Sequence, residues 1–488
     1  MSHRSSTMRT LMAATLSAAV LSACASFQDL APHASLTAPD RLEIQTTLGQ
    51  DLPTDAPWPQ QDWWQAVGDA QLDRLMREAL TGNPTLKIAR ARIDRARALA
   101  GLADAARGPQ LTGNAAGTYQ RFSENGQVPP PLAGSWRSSD RLGLDFSHEL
   151  DFWGKNRALF DAALGQVRAA EAEAQQARLL LSSAVARGYI DLQRSFEQRD
   201  IAQAMLHQRR QVLDLTRQRV SAGLDSRVEL EQAAAAIPAA EAELAAIDEG
   251  MALLRHQLAA LAGVGPDRGD AITRPAITAG QALALPTALP AELIGRRPDV
   301  VAQRWRVESA TQDIAAAKAR FYPNVNLLAF VGVQSIGIDR LLEGGSRIAG
   351  IGPAISLPIF DAGRLRSQLA GRHADFDAAV EQYNATVIDA LREVADQVSS
   401  RRAIDQQIEH SRAALARFDE AYRLALLRYR EGLSTYLTVL TVERQVLDQR
   451  RQLADLEARR RDTAVDLIRA LGGGYTPDAL PAAAQPAA

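Results

Sequence analysis

One unit is written into this chain twice, and few folds accommodate that. "NPTLKIARARIDRARALAGLADAARGPQL", Asn83 to Leu111, is answered by "RPDVVAQRWRVESATQDIAAAKARFYPNV", Arg297 to Val325. Pro84 and Pro109 are 25 residues apart, as are Pro298 and Pro323. Gly154 in "DFWGK" and Gly363 in "FDAGR" each lie 69 residues before a second glycine, Gly223 or Gly432, and 40 further residues lead to Gly263 or Gly472. The offset between copies is 214 residues early in each half and 209 later, so a five-residue length change falls between Pro109 and Gly154, as in a loop. The repeats are assigned to 63–263 and 293–473, with a Pro- and Ala-rich linker at 264–292 and a Pro/Ala-rich tail at 474–488.

Each unit alternates two periodicities. Leu142, Leu144, Phe146, His148, Leu150 and Phe152 alternate with Arg141, Gly143, Asp145, Ser147, Glu149 and Asp151, the period-two pattern of a strand with one apolar and one polar face. Strands are expected at about 110–121, 141–152, 324–334 and 348–360, each near the ten residues a membrane strand needs. Hairpin loops fall at "SENGQVPPPLAGS" and "GIDRLLEGGS". Pro353 is awkward inside the fourth strand. Segments 155–222 and 364–431 contain no proline and read as helices of roughly 100 Å. The shorter segments 84–107 with 224–262, and 298–321 with 433–471, nearly match that length if stacked end to end. Leu433, Leu440, Leu447 and Ala454 repeat every seven residues like a coiled-coil seam, and Pro238 is expected to kink its helix. Gly223 and Gly432 therefore mark reversals at the tips farthest from the strands.

The composition is 46% apolar with a formal charge of -2, which supports a packed core and recommends no nucleic-acid partner. No apolar run is long enough for a transmembrane helix. Residues 1–23 read as an export signal ending in "LSAC", which resembles a bacterial lipobox; Cys24, the sole cysteine, is then the lipidated first residue of an anchored segment, 24–62. Cleavage after Ala25 is the plainer alternative. The seven histidines are scattered and no catalytic or phosphate-binding motif occurs, so no enzyme is expected. Trp58, Trp63 and Trp64 are expected to pack on the helical body rather than form a membrane belt.

Four strands cannot close a barrel, and an open edge in lipid leaves backbone groups unpaired. Several chains must share one barrel, eight strands from two or twelve from three. Asp145, Glu149 and Asp151 then line its lumen, unless that face is merely a soluble polar surface.

With "WWQAVGDAQLDRLMREAL" (63–80), "LIGRRPDVVAQRWRVESATQDIAAAKARFYPNVNL" (293–327), "GPAISLPIFDAGR" (352–364) and "RYREGLSTYLTVL" (428–440), the chain resembles the outer membrane factors of the TolC and OprM type, nearest the NodT-like lipoprotein branch of RND efflux systems. That resemblance implies an α+β membrane protein, a homotrimer whose twelve-stranded outer membrane β-barrel continues as a periplasmic helical coiled-coil barrel. It implies a periplasmic adapter and an inner membrane RND-type transporter as partners, outer membrane lipid around the barrel, and no cofactor beyond the lipid on Cys24. The function implied is passive exit of small molecules; alternatives are type I protein secretion and a non-transport coiled-coil lipoprotein. TolC-like members narrow the mouth with acids after each tip glycine. Here Asp225, Glu229 and Glu231 follow Gly223, whereas Thr438 and Thr441 stand in the second half, so either the expected ring of charge is thinner or the closure rests more on packing.

Overall fold

The computed structural model describes residues 29–38, 42, 58–277, 293 and 295–477. The signal segment, Cys24, most of the linker and most of the tail lie outside the described residues.

After α1 (Ala70–Gly82), both halves run through the same five elements. The first contains α2 (Pro84–Ala105), β1 (Gln110–Arg121), β2 (Trp136–Leu150), α3 (Lys155–Ser221) and α4 (Arg227–Leu261). The second contains α5 (Pro298–Ala319), β3 (Asn324–Ile336), β4 (Arg347–Ser356), α6 (Arg364–Arg430) and α7 (Tyr436–Ala470). Paired helices have equal lengths of 22, 67 and 35 residues. The long pair, α3 and α6, each span roughly 100 Å.

The strands form one antiparallel sheet in the order β1-β2-β3-β4. β2 ends at Leu150, before Asp151 and Phe152, and β4 ends at Ser356 rather than near residue 360. The residues beyond those ends serve the helix starts. Asp151 Oδ2 accepts the N–H of Arg157 at 2.8 Å, and the Asp361 carboxylate accepts those of Gly363 and Leu365 at 3.0 and 2.9 Å. A helix start has unpaired N–H groups, and a carboxylate satisfies them. Pro353 is paired with Leu327 within β4, so the strand continues through it. α4 runs unbroken through Pro238, so the expected kink does not interrupt it.

The short helices do stack end to end. Asn83 caps α2, its Oδ1 accepting from Thr85 N at 2.8 Å, while its Nδ2 donates at 2.8 Å to Leu261 O at the end of α4. Arg297 serves the second junction: Nη1 donates to Ala470 O of α7 at 3.3 Å, and the guanidinium pairs with Asp299 at 2.6 Å and Glu393 at 2.8 Å. In each case one side chain satisfies the carbonyl end of a helix at the start of the next. α5 packs between α3 and α6, while α2 packs on α3. Trp63 and Trp64 are buried with Leu72, Met76 and Tyr189 in the helical body, away from the sheet.

An extended strap from Asp29 to Thr37 runs along α6. Asp29 pairs with Arg366 at 2.6 Å; Asp377 Oδ1 accepts the N–H groups of His33 and Ala34, both at 2.9 Å; Asn384 accepts from Thr37 N at 2.8 Å and donates to Ser35 O at 3.1 Å. Eight extended residues cover roughly 26 Å and the 18 helical residues from Arg366 to Asn384 roughly 27 Å, so the strap is nearly fully drawn out.

Two glycines separate conformational from steric demand. Gly223 (φ 74°) has nothing within 4 Å of an added Cβ, whereas at Gly472 (φ 87°) that atom would fall 1.9 Å from the Arg296 carbonyl oxygen. Gly223→Ala should cost about 1–2 kcal/mol for the left-handed backbone alone, and Gly472→Ala clearly more, because the α5/α7 junction must open. Thermal unfolding followed at 222 nm checks this; equal shifts would contradict the junction.

Candidate functional site

Both tips end in the same glycine-closed turn. Gly223 N donates to Val220 O at 3.0 Å and Leu224 N to Arg219 O at 2.9 Å; Gly432 N donates to Tyr429 O at 3.0 Å and Leu433 N to Arg428 O at 2.8 Å. These paired bonds satisfy carbonyls at the end of each long helix, and the left-handed glycine turns the chain back. Ser226 then caps α4 in a reciprocal box with Glu229, whose carboxylate accepts Ser226 N at 2.9 Å.

A buried polar network joins the two tips. Arg219 of α3 holds Asp225 through two bonds, Nε to Oδ2 at 2.8 Å and Nη2 to Oδ1 at 3.1 Å. Its Nη1 donates to Tyr429 O of α6 at 2.7 Å, and its guanidinium lies 4.6 Å from the centre of the Tyr429 ring. The Tyr429 hydroxyl donates to Asp225 Oδ2 at 2.6 Å and lies 3.0 Å from Thr216 Oγ1. The Arg219 and Asp225 side chains are 8% and 9% exposed, so the pair is sheltered as well as bidentate. The bond from Arg219 holds the Asp225 carboxyl below the usual carboxylate range; burial, then the Asp225 carboxylate, pushes the Tyr429 phenol up to about 12 and keeps it a donor.

Other mouth positions are simpler. Glu229 is tied to its cap, Glu231 is exposed, Thr438 Oγ1 lies 3.4 Å from Thr435 Oγ1, and Thr441 Oγ1 donates to Leu437 O at 2.8 Å. Asp225 is thus withdrawn from the mouth's free charge by Arg219, a partner that the sequence reading missed along with Tyr429. Comparing the halves exposes Tyr429 but not Arg219: Tyr429 and Asp225 correspond to Val220 and Ser434, whereas Arg219 corresponds to another arginine, Arg428.

At the opposite end, register sorts the sheet into two faces. Leu111, Phe146, Ala329 and Ile351 form one cross-strand row, and Thr112, Asp145, Phe330 and Gly350 the next. The first face continues through Leu144, Val331 and Ile355, all exposed. The second carries Asp145, bonded to Arg141 at 2.6 Å, and Glu149, 2.6 Å from Lys155. Asp151 lies past the strand at the start of α3. Aromatic pairs bracket the sheet: Tyr119 stacks on Trp136 at 5.6 Å, and Trp153 on Tyr322 at 4.6 Å. An apolar face between aromatic rims is the pattern of a lipid-facing barrel wall. The rims were not read from sequence, because Tyr119 and Trp136 meet only through strand pairing. Among the described residues, no His, Cys, Asp and Glu group is placed to hold a metal, and no helix is long and apolar enough to cross a membrane.

The family model for outer membrane efflux proteins matches residues 75–264 and 289–473. The chain belongs to the outer membrane efflux protein family. This efflux channel is similar to VceC of Vibrio cholerae, with 40% identity and a TM-score of 0.80 over 86% of this chain and 100% of that one. It is also similar to the outer-membrane channel OprN, with 29% identity and a TM-score of 0.80 over 93% and 98%. The multidrug resistance outer membrane protein MdtP of Escherichia coli O157:H7 is 32% identical over 94% of this chain and 95% of its own length. The fusaric acid resistance protein FusA of Burkholderia cepacia is 39% identical over 73% and 67%. The efflux protein is accordingly an outer membrane exit duct and not an enzyme.

The tip network makes a prediction with a sign. A carboxylate whose folded pKa is depressed contributes stability above its ordinary pKa, near 4, and loses it as pH falls through the lower folded value. Protection factors at residues 216–225 and 429–436, corrected for the pH dependence of intrinsic amide exchange, should therefore stay high across the mildly acidic range and drop only below about pH 4. Tyr429→Phe combined with Asp225→Asn should lower them at pH 7. Unchanged exchange in that variant would mean the network does not hold the tips together.

Proposed function

We propose that three copies close a twelve-stranded barrel in the outer membrane, continue it as a helical tunnel across the periplasm, and pass small organic compounds outward from a periplasmic adapter and an inner membrane RND-type transporter. One observation carries the reading: a sheet with one apolar face and two unpaired edges is joined directly to two 67-residue helices whose tips lie at the far end. β1 and β4 each pair on one side only and run antiparallel to one another, so a neighbour's β1 beside β4 extends an all-antiparallel barrel. Asp145 and Glu149 then face the lumen. The resistance functions in the names of MdtP and FusA support small molecules over polypeptides as cargo.

The strap supports lipidation of Cys24. Asp29 is held at Arg366, ten residues beyond the end of β4, so the strap runs toward the end of the sheet from which the helices leave, as an anchor preceding it would require. Deleting the gene should sensitise the host to the pump's substrates, and the wild-type chain should restore resistance. Cys24→Ser should abolish incorporation of labelled palmitate while the barrel still inserts. Restoration by an empty vector would sink the efflux reading, and palmitate retained in Cys24→Ser the lipid one.

At the mouth, Glu229 and Glu231 are the acids left with free charge once Arg219 has neutralised Asp225, and Glu229 is the nearer to the tip glycine. Three copies should bias the pore toward cations, because charges within a Debye length, about 8 Å at physiological salt, act on a passing ion. Glu229→Gln keeps a capping side chain and should reduce the cation-selective reversal potential across a planar bilayer; Glu229→Arg should reduce it further. Glu149→Ala, in the wide barrel, should change it less. A larger shift from Glu149→Ala would place the constriction elsewhere.

A further inference from the structure

The duplication supplies a template for a surface the single chain leaves open. α2 and α5 are equivalent helices of 22 residues, yet eleven residues of α5 are buried and only two of α2, Ala89 and Ala100. α5 is covered on two sides, by α3 of the other repeat and α6 of its own. α2 is covered by α3 alone, which is the counterpart of the α5/α6 contact. What α2 lacks is the counterpart of the α5/α3 contact.

That contact is close. Ser309 of α5 donates to Ala162 O of α3 at 2.9 Å and accepts from Gln166 Nε2 at 2.8 Å, and a Cβ on Gly165 would lie 3.1 Å from that of Ser309. The offset of 214 carries Ser309 to Arg95, and the offset of 209 carries Ala162, Gly165 and Gln166 to Gly371, Ala374 and Asp375. Both target surfaces are bare. On α2, Ile88, Arg92, Arg95, Leu99 and Leu102 form one stripe, with Ile88 54%, Leu99 52% and Leu102 69% exposed. On α6, Gly371, Ala374, Asp375, Ala378 and Ala385 are all exposed. At 100° per residue they lie roughly opposite Leu369, Phe376, Val380 and Val387, the face that packs in the core with α5.

We propose that the α2 stripe of each copy seats on this flank of α6 in the next copy, in the register of the internal α5/α3 contact, with Arg95 opposite the partner's Asp375. Small residues on α6 admit the larger side chains of α2, and Arg95, without an ion-pair partner among the described residues, meets the exposed Asp375 carboxylate, whose Oδ2 is 3.2 Å from Arg372 of its own helix and which can accept a second guanidinium. The wall of the duct is incomplete without this seam, since neither helix face can remain open in a closed ring. The inference rests on the trimer proposed above and adds which residues form its helical joint.

The test uses the full-length protein in outer membranes, where Cys24 is the only native cysteine. Oxidation of the double variant Arg95→Cys, Asp375→Cys should give reducible dimers and trimers on a denaturing gel, and neither single variant should. Native mass measurement in detergent separates the two levels. A trimeric mass without cross-links overturns this seam and leaves the trimer standing; a monomeric mass overturns the trimer and the seam with it. Charge reversal provides a second readout independent of the cysteines. Arg95→Asp should lower the trimer fraction by roughly tenfold, and adding Asp375→Arg should restore most of it. No restoration by the double reversal overturns the pairing.

Discussion

An unpaired sheet edge cannot rest in hydrocarbon. Each backbone N–H and C=O left without a partner there costs several kcal/mol, since no water reaches it. β1 and β4 are both such edges. Among the described residues the helices are compatible with water: they carry Arg, Asp and Glu on their surfaces, and the helical body encloses a core of its own. In the trimer proposed above it is the sheet that demands other copies of the chain; the strands fix the barrel, and the helices that leave them follow as one tunnel.

Duplication makes that tunnel economical in design. Equivalent helices of equal length produce a wall in which a short helix alternates with a long one, and each stacked pair of short helices matches one long helix. The copies differ where their neighbours differ. Asn83 and Arg297 both bridge a stacked junction, one with an amide and the other with a guanidinium held by two carboxylates. At the tips the divergence is sharper, because Arg219, Asp225 and Tyr429 join the two hairpins of one chain, and the counterparts of Asp225 and Tyr429, Ser434 and Val220, have neither the carboxylate nor the phenol. The two tips of one chain are therefore held by a polar lock that one copy of the repeat could not build with itself.

The tip lock and the capping box also divide labour among carboxylates that look alike in the sequence. Asp225 and Glu229 are four residues apart, but one is sheltered against a guanidinium and the other remains at the surface of its helix start. Proximity in the chain does not determine which charge is free to act on a permeating ion. The side chain that reaches across from the other hairpin determines it.

The sequence by itself determined the repeats, the four strands, the lengths of the helices and the glycine reversals, because these follow from local periodicity and backbone conformation. The hairpin between Phe122 and Ser135, and the end-to-end stacking of short helices, were legible for the same reason. Strand ends were less so: Asp151 continues the alternation of β2 but is taken by the Arg157 N–H of α3, a competition between two backbone demands that no pattern of hydrophobicity records. Only the tertiary structure decided that Asp225 is neutralised, that Tyr119 meets Trp136 and Trp153 meets Tyr322, and that α2 is bare where α5 is covered. Those are contacts between residues far apart in the chain. Their energies depend on distance and burial in three dimensions, and a periodic reading along one dimension contains neither.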